Sequence, residues 1–180
     1  MDELAKMRDE LPVGSDDRLL MSLYTMIPPV RANFGRVKVY HEIPDDNHLE
    51  DNFIVLGKHN KLVLGKYKTA RYHDALVSEL PDKLVKEINH SLEKKPREYL
   101  FIQSNGEPYD KGNSFDAFAN RRLKKITGKN EFSLTMFRHI YISDPKLDLN
   151  NKTLKEKQAV ADRMGHSISC LLYTSDAADE

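Results

Sequence analysis

The sequence from Phe132 to Ser167 contains three consecutive segments, which read FSLTMFRHIYIS (132–143), DPKLDLNNK (144–152) and TLKEKQAVADRMGHS (153–167). The first and third segments have the apolar spacing of helices, and the middle one is polar and typical of a loop. Thr153 and Glu156 have the spacing of a capping box, which marks a helix start. The third segment therefore predicts a helix that begins after Thr153, ends near Gly165 and leaves His166 at its terminus.

Arg138 and His166 are residue types suited to phosphate chemistry without a metal. A guanidinium offers paired donors that match two oxygens of a phosphate as it gathers negative charge. An imidazole can donate a hydrogen bond or exchange a proton near neutral pH. The plainer interpretation is that Arg138 is a surface arginine and that His166 only ends a helix.

An Arg-His pair (Arg138, His139) followed by Gly165-His166-Ser167 resembles the C-terminal boxes of the tyrosine recombinase, or phage integrase, family. The stretch LYTMIPPVRANFGRVKV (23–39) is similar to the first-arginine box of recombinases from large DNA viruses. This resemblance, which covers nearly all of residues 19–169, implies that Arg31 and Arg138 are the two phosphate-clamping arginines. The plainer alternative for Arg31 is a solvated turn arginine.

Alternating apolar residues predict a strand at Val37–His41, and short apolar runs predict strands at Asn52–Leu56, Leu62–Leu64 and Ala75–Leu80, of which Asn52–Leu56 and Leu62–Leu64 form a hairpin. The resemblance implies a small antiparallel sheet with a catalytic lysine in a turn, and Lys68 occupies that position. An ammonium on such a turn can enter the minor groove and protonate a leaving 5′ oxygen. Lys66 is the nearest alternative, and an ordinary solubilising lysine is the plainer one.

Further helices are predicted from Ser15 to Pro28 and at Pro81–Lys94 and Asn113–Thr127, with a short strand at Tyr99–Ile102. The fold class expected is α/β of the α+β type: mainly helical, recombinase-like, with a small antiparallel sheet. Residues 1–169 are expected to form one catalytic domain, truncated at both ends. The four catalytic candidates (Arg31, Lys68, Arg138, His166) are expected to converge on one basic concave face.

A dense basic run follows on the helix at 113–127. Its members are expected to contact the DNA backbone, although such a run is often only a solvated helix face; they are Arg121, Arg122, Lys124 and Lys125, with Lys129 just beyond. The family usually carries His three residues before the second arginine, where this chain has Thr135. A threonine hydroxyl can hydrogen-bond a phosphate oxygen but cannot act as a charged donor, so Thr135 is a further predicted DNA contact.

The last eleven residues, CLLYTSDAADE (170–180), match the translation of an adapter used in transposase-based sequencing libraries. We expect this tail to be non-native. Without it the chain has no cysteine, and 28 basic residues face 28 minus 3 acidic ones, for a net charge of +3. The family's nucleophilic tyrosine follows the Gly-His box by about nine residues, whereas Tyr173 follows His166 by seven. Tyr173 is therefore not expected to be the nucleophile, and the fragment is expected to lack cleavage activity.

The resemblance implies site-specific DNA recombination and integration through a 3′-phosphotyrosyl intermediate, on double-stranded DNA, in a homo-tetramer, with no metal and no cofactor. Two alternatives stay open: a type IB topoisomerase-like enzyme and a non-catalytic DNA-binding relative. A metal enzyme using His139 and His166 is disfavoured because no typical carboxylate–histidine spacing accompanies them. No apolar run approaches the roughly 18 residues of a membrane span, and no leader is recognisable, so an intracellular protein is expected.

Overall fold

Helices surround one small sheet in the computed structural model, which describes residues 1–30, 34–42, 51–65, 76–111, 113–169 and 171. In chain order the elements are α1 (Asp2–Glu10), α2 (Asp16–Thr25), β1 (Lys38–Tyr40), β2 (Asn52–Val55), β3 (Lys61–Leu64), β4 (Leu76–Glu79), α3 (Asp82–Lys94), α4 (Ser114–Thr127), α5 (Leu134–Ile142) and α6 (Leu154–Met164). Two short 3-10 turns cover Phe34–Arg36 and Leu149–Asn151. The predicted α+β fold class is confirmed.

Local capping chemistry sets several helix boundaries. The Ser15 hydroxyl accepts a hydrogen bond from the backbone N–H of Arg18, which begins α2. Thr153 and Glu156 form the predicted capping box at the start of α6. Asn113 precedes α4 as predicted, but its side chain makes no capping hydrogen bond. The helix ends therefore follow the sequence signals to within a few residues.

The sheet has the order β1-β2-β3-β4. β2 pairs with β3 and β3 with β4 in antiparallel fashion, as predicted for the hairpin and the strand after it. β1 instead runs parallel to β2, with Lys38 opposite Phe53, so the sheet is mixed rather than antiparallel throughout. Alternation with a period of two residues predicts a strand but carries no information on its direction.

The predicted strand at Tyr99–Ile102 is not a full strand. Tyr99 forms an isolated antiparallel bridge to Lys38, and Ile102 forms another to Pro108. The backbone N–H of Val39 donates to the carbonyl of Glu98 over 2.8 Å, so this segment still covers the free edge of β1. Edge coverage satisfies backbone groups that would otherwise face solvent.

Apolar side chains form three clusters. The largest joins α2, the inner face of the sheet, α3, α4 and Phe137 of α5. A second joins the end of α5 to α6; its buried members are Ile142, Leu149, Val160, Ala161, Met164 and Leu171. A third, of Phe53, Val55 and Val63 with Tyr40, lies on the opposite face of the sheet. Within the described residues, no helix is long and apolar enough to cross a membrane.

Candidate functional site

Arg138 lies on α5 with its side chain half-buried. Its Nη2 atom donates a hydrogen bond of 3.4 Å to the hydroxyl of Thr135, which is exposed one helical turn earlier. Residues three apart on a helix share a face, so the two side chains point to the same side of α5. At 3.4 Å the bond is long, and it orients the guanidinium only weakly.

Aromatic packing fixes the position of α5. The ring of Phe137, next to Arg138, stacks on Tyr24 of α2 at 5.2 Å and meets Phe132 edge-on at 5.4 Å. Tyr24 in turn meets Phe34 edge-on at 5.5 Å. Such ring pairs add about 0.5–1.5 kcal/mol each beyond burial. The helix that carries Arg138 is therefore held against both α2 and the turn at Phe34.

A side chain of α4 secures the first turn of α5. The backbone N–H of Leu134 donates to Oδ1 of Asn120 over 2.9 Å. This bond supplies a partner for one of the N–H groups that every helix start leaves open. No local sequence pattern signals it, because the two residues lie on different helices and only the folded chain brings them together.

The hydroxyl of Tyr24 is buried near charged groups of two helices. Burial raises its pKa far above the ordinary value, the negative charge of Asp116 raises it further, and the positive charge of Arg138 opposes both effects. Arg138 therefore lies close enough to this phenol for its charge to act on it. Tyr24 stays neutral throughout the physiological range, and its ring serves packing.

His166 follows α6 directly, as predicted. Gly165 ends the helix in the left-handed conformation with φ of 65°. The N–H of Gly165 donates to the carbonyl of Asp162, and the N–H of His166 donates to that of Ala161 over 2.9 Å. This pair of bonds is a Schellman motif, which satisfies the last carbonyls of the helix and sets the direction of the chain beyond it. The half-buried imidazole is thus carried on a well-defined helix end.

The second apolar cluster brings the ends of α5 and α6 together. Ile142, one turn after Arg138, packs in the same cluster as Met164, two residues before His166. Tyr141 is partly buried there; burial raises its pKa, and the charge of Arg163 opposes the shift. The helix that carries Arg138 and the helix that precedes His166 therefore both contribute to this cluster.

Four predicted or considered positions lie outside the described residues: Arg31, Lys66, Lys68 and Tyr173. Val30 and Phe34, on either side of residues 31–33, are both buried in the main core with Phe137. The segment that contains Lys68 links β3 to β4, whose paired ends are Leu64 and Leu76. The expected convergence of the four catalytic candidates on one concave face stays a prediction.

The basic run on α4 divides into two kinds of residue. Arg121, Lys124 and Lys125 are exposed, as is Lys129 beyond the helix end. Arg122 instead donates from Nε to Oδ1 of Asp17 in an ion pair between α4 and α2. That hydrogen bond raises the pKa of Arg122. Nothing in the sequence of the basic run distinguishes Arg122 from its neighbours. Asp17 lies in the first turn of α2, so in the sequence it indicates a helix start and not a partner for a distant arginine.

Within the described part of the chain, no group of three or more His, Cys, Asp or Glu residues is placed to hold a metal ion. His139, considered for such a site, is exposed on α5. Comparison with known proteins finds no family model, no curated protein and no solved structure that matches the chain.

Proposed function

We propose that this chain is the catalytic part of an enzyme that breaks and rejoins DNA by the tyrosine recombinase mechanism. The observation that carries the proposal is that Ile142, at the end of α5, and Met164, at the end of α6, belong to the same apolar cluster. The helix bearing Arg138 and the helix that ends just before His166 therefore share one apolar cluster, and these are the two residues of the Arg-His and Gly-His-Ser boxes. Support for the first arginine is indirect: Phe34, three residues after Arg31, joins the ring stack that holds α5.

In the proposed reaction a tyrosine oxygen attacks the scissile phosphorus as its hydroxyl proton passes to a base, for which His166 is the candidate, and the 5′ oxygen leaves with a proton from Lys68. The products are a 3′-phosphotyrosyl link and a free 5′ hydroxyl, and attack by the 5′ hydroxyl of a partner strand reverses the step. Arg31 and Arg138 stabilise the charge on the non-bridging oxygens, and His166 supplies a further donor or proton carrier. Double-stranded DNA is the substrate, and a homo-tetramer would hold two duplexes.

A second candidate is a DNA-binding protein without strand-cleaving activity. It is favoured by Thr135, an uncharged donor where the family usually has histidine, and by the solvent-facing cations Arg121, Lys124 and Lys125. These residues suffice to bind a phosphate backbone whether or not chemistry follows. A type IB topoisomerase shares the proposed chemistry and differs in resealing the same strand, so a strand-exchange assay separates it from a recombinase.

The test supplies an external nucleophile, so that its result does not depend on which tyrosine attacks. The chain is incubated with hydrogen peroxide and a pool of random-sequence duplexes, with EDTA present, and new strand ends are sequenced. If Arg138 clamps the phosphate, nicks form and Arg138→Ala lowers their yield by roughly 10²-fold or more. Arg163→Ala, which removes an exposed arginine of α6, leaves the yield unchanged.

The two candidates give different outcomes in this assay. Nicks that depend on Arg138 and His166 support the enzyme. Duplex binding without any nick, or nicks insensitive to Arg138→Ala, excludes the proposed chemistry for these residues and leaves the DNA-binding candidate. Neither Arg138→Ala nor Arg163→Ala removes a fully buried side chain, so the variants are expected to fold, which circular dichroism checks.

A further inference from the structure

A pocket of about 290 Å³ opens beside β1, lined by residues of β1, β2 and the segments on either side of Tyr99 and Tyr109. Four of its nine lining residues are aromatic: Tyr40, Phe53, Tyr99 and Tyr109. Aromatic residues make up only 8% of the chain, so rings are concentrated here. The pocket belongs neither to the proposed phosphate clamp nor to the exposed face of α4.

The ring walls are held in place by other contacts. Tyr40 meets Phe53 edge-on at 5.8 Å, and Tyr109 stacks on Phe118 of α4 at 4.8 Å. The backbone N–H of Tyr109 donates to the carbonyl of Gly35 over 3.0 Å, and Tyr99 bridges Lys38 through the backbone. A ligand that enters the pocket therefore meets preformed surfaces and has little ordering cost to offset.

Charged side chains stand beside the rings. Arg36 is exposed at the pocket and presents a fork of donors suited to a phosphate. The Lys38 ammonium lies 5.4 Å from the centre of the Tyr40 ring and 3.8 Å from the Glu98 carboxylate. That ion pair is largely exposed and weak, so Lys38 can turn toward an anion.

Two carboxylates complete the lining. Asp51 and Asp110 are both exposed, and the Asp110 carboxylate offers oxygen acceptors for the N–H groups of a ligand. A simple anion would gain nothing from four rings, and a purely apolar ligand would not suit two cations and two carboxylates. The lining fits a ligand with a flat aromatic part, N–H donors and a negative charge.

We propose that this pocket binds a single nucleotide, with its base against the tyrosine and phenylalanine rings and its phosphate on Arg36 and Lys38. Base stacking on aromatic side chains and phosphate contacts from cations are the two recurring parts of such sites. The volume lies near the lower end of the roughly 300–1,000 Å³ of small-molecule pockets. One nucleotide, and not a longer ligand, is therefore the size of occupant that the pocket accommodates.

The nucleotide can come from solution or from an unpaired stretch of a DNA strand, since the chemistry is the same. The pocket adjoins α4, because its Tyr109 ring stacks on Phe118 of that helix at 4.8 Å. The pocket is formed by its own lining residues, and binding there does not depend on strand cleavage.

The experiment titrates the chain by calorimetry with deoxyadenosine monophosphate, with deoxyribose 5-phosphate and with inorganic phosphate. The mononucleotide is expected to bind at least about 10-fold more tightly than either base-free probe, because stacking of one base is worth roughly 5- to 100-fold. Tyr99→Leu is expected to remove most of that preference, and Tyr99→Phe to retain it. Arg36→Ala weakens mononucleotide binding by about 5-fold or more, while Lys86→Ala, an exposed lysine of α3, has no effect.

A second set of titrations identifies the source of the nucleotide. If a single-stranded oligodeoxyadenylate competes with the mononucleotide and Tyr99→Leu weakens the binding of both, the pocket binds a nucleotide within a DNA strand. If the mononucleotide binds but the oligodeoxyadenylate does not displace it, the pocket binds a free nucleotide. Binding of blunt duplex is expected to be insensitive to Tyr99→Leu, so failure of this proposal is distinguishable from failure of DNA binding at α4.

The proposal is overturned if the mononucleotide binds no more tightly than inorganic phosphate. It is also overturned if Tyr99→Leu and Arg36→Ala both leave its affinity unchanged. If Tyr99→Leu does not give a native circular dichroism spectrum, the mononucleotide affinity of Arg36→Ala is the deciding measurement. The Arg36 side chain is exposed, so its removal leaves the packing intact.

Discussion

Arg138 donates a hydrogen bond from Nη2 to the hydroxyl of Thr135 over 3.4 Å on the face of α5 that the proposed reaction would use. Under the proposed recombinase assignment, the threonine takes the place of the histidine that is usual in that family. An uncharged, weakly bonded neighbour helps to orient the guanidinium but adds no positive charge of its own. Arg138 and Thr135 together would therefore present one positive charge to a phosphate, whereas an arginine with a protonated histidine would present two.

The first prediction is that Thr135→Val weakens DNA binding and peroxide-dependent nicking by roughly 3- to 10-fold, the usual worth of one hydrogen bond. Thr135→Ser should retain most of both, because it keeps the hydroxyl. Thr135→His is expected to raise the nicking yield. The free energy of unfolding should change by less than about 0.5 kcal/mol in all three, since the side chain is exposed. A higher yield from Thr135→Val than from Thr135→Ser would contradict the role given to the hydroxyl.

Much of the fold follows from local sequence signals. Thr153 and Glu156 predict the start of α6, Gly165 its end, and the position of His166 follows from both. The hairpin of β2 and β3 is likewise predicted from two apolar runs and a polar turn. These features depend on residues that are close together in the sequence, so a stretch of a few residues is enough to predict them.

Features that depend on distant residues cannot be inferred from local patterns. The parallel pairing of Lys38 with Phe53 joins residues that are 15 positions apart, which is beyond the reach of a two-residue alternation. The ion pair between Asp17 and Arg122 joins positions 105 residues apart. The aromatic pocket gathers residues of several segments, none of which is unusual by itself. Periodicity identifies buried faces, but it does not identify which faces meet.

The second prediction concerns the exposed cations of α4. We expect the chain to bind duplex DNA weakly and without sequence preference, with affinity that falls steeply as salt rises. The Lys124→Ala/Lys125→Ala variant should reduce the slope of log affinity against log salt by about one for each phosphate that these lysines neutralise. Fluorescence anisotropy between low and physiological salt measures the slope.

Arg122→Ala is the matched control for this experiment, because its guanidinium is engaged by Asp17. It is expected to lower stability while changing the salt slope less than Lys124→Ala does. If the unaltered chain binds DNA with an affinity that does not depend on salt, α4 is not part of the DNA-binding surface. The same conclusion follows if Lys124→Ala/Lys125→Ala does not change the slope of log affinity against log salt.

The third prediction concerns the ion pair between α2 and α3. Arg18 donates from Nε and Nη2 to the two oxygens of Glu87, both over 2.8 Å, and the side chains are only 15% and 10% exposed. Removing one partner leaves a shielded charge without its counterion, so Glu87→Ala should cost about 3 kcal/mol of unfolding free energy. Urea denaturation measures it.

The pair between Lys146 and Asp2 provides the comparison, since its side chains are 72% and 74% exposed. Lys146→Ala is expected to change the urea midpoint very little, because exposed pairs contribute little. If Glu87→Ala and Lys146→Ala lowered the free energy of unfolding equally, burial would not determine how much these ion pairs contribute to stability.

The fourth prediction is a pH dependence at the start of α6. Hydrogen bonds from the side chain and then the backbone N–H of Thr153 lower the pKa of Glu156 below its ordinary 4.5. A lowered folded-state pKa means that the stabilisation is fully present above pH 4.5 and is lost as the pH falls through the lower value. The melting temperature of the unaltered chain should exceed that of Glu156→Gln at about pH 6, and the difference should shrink toward about pH 3. A difference that stays constant with pH would contradict this.

The last prediction is that Tyr173 is not the nucleophile. The phenol must come within about 3–3.5 Å of the phosphorus for in-line attack, and Tyr173 follows His166 by seven residues where the family spacing is about nine. Residues 170–180 also match a sequencing adapter, and Asp176, Asp179 and Glu180 put three acidic residues shortly after Tyr173. Like charges at short range repel, so this tail would oppose the approach of a phosphate.

A nicked suicide substrate tests the assignment, because it traps any covalent protein–DNA link for detection on a denaturing gel. Three proteins are compared: the unaltered chain, its Tyr173→Phe variant, and a version in which the genomic reading frame after Ser169 replaces residues 170–180. We expect an adduct only from the third, because only there would a tyrosine stand at the spacing that in-line attack requires. An adduct from the unaltered chain that disappears in Tyr173→Phe would instead make Tyr173 the nucleophile and residues 170–180 part of the active protein.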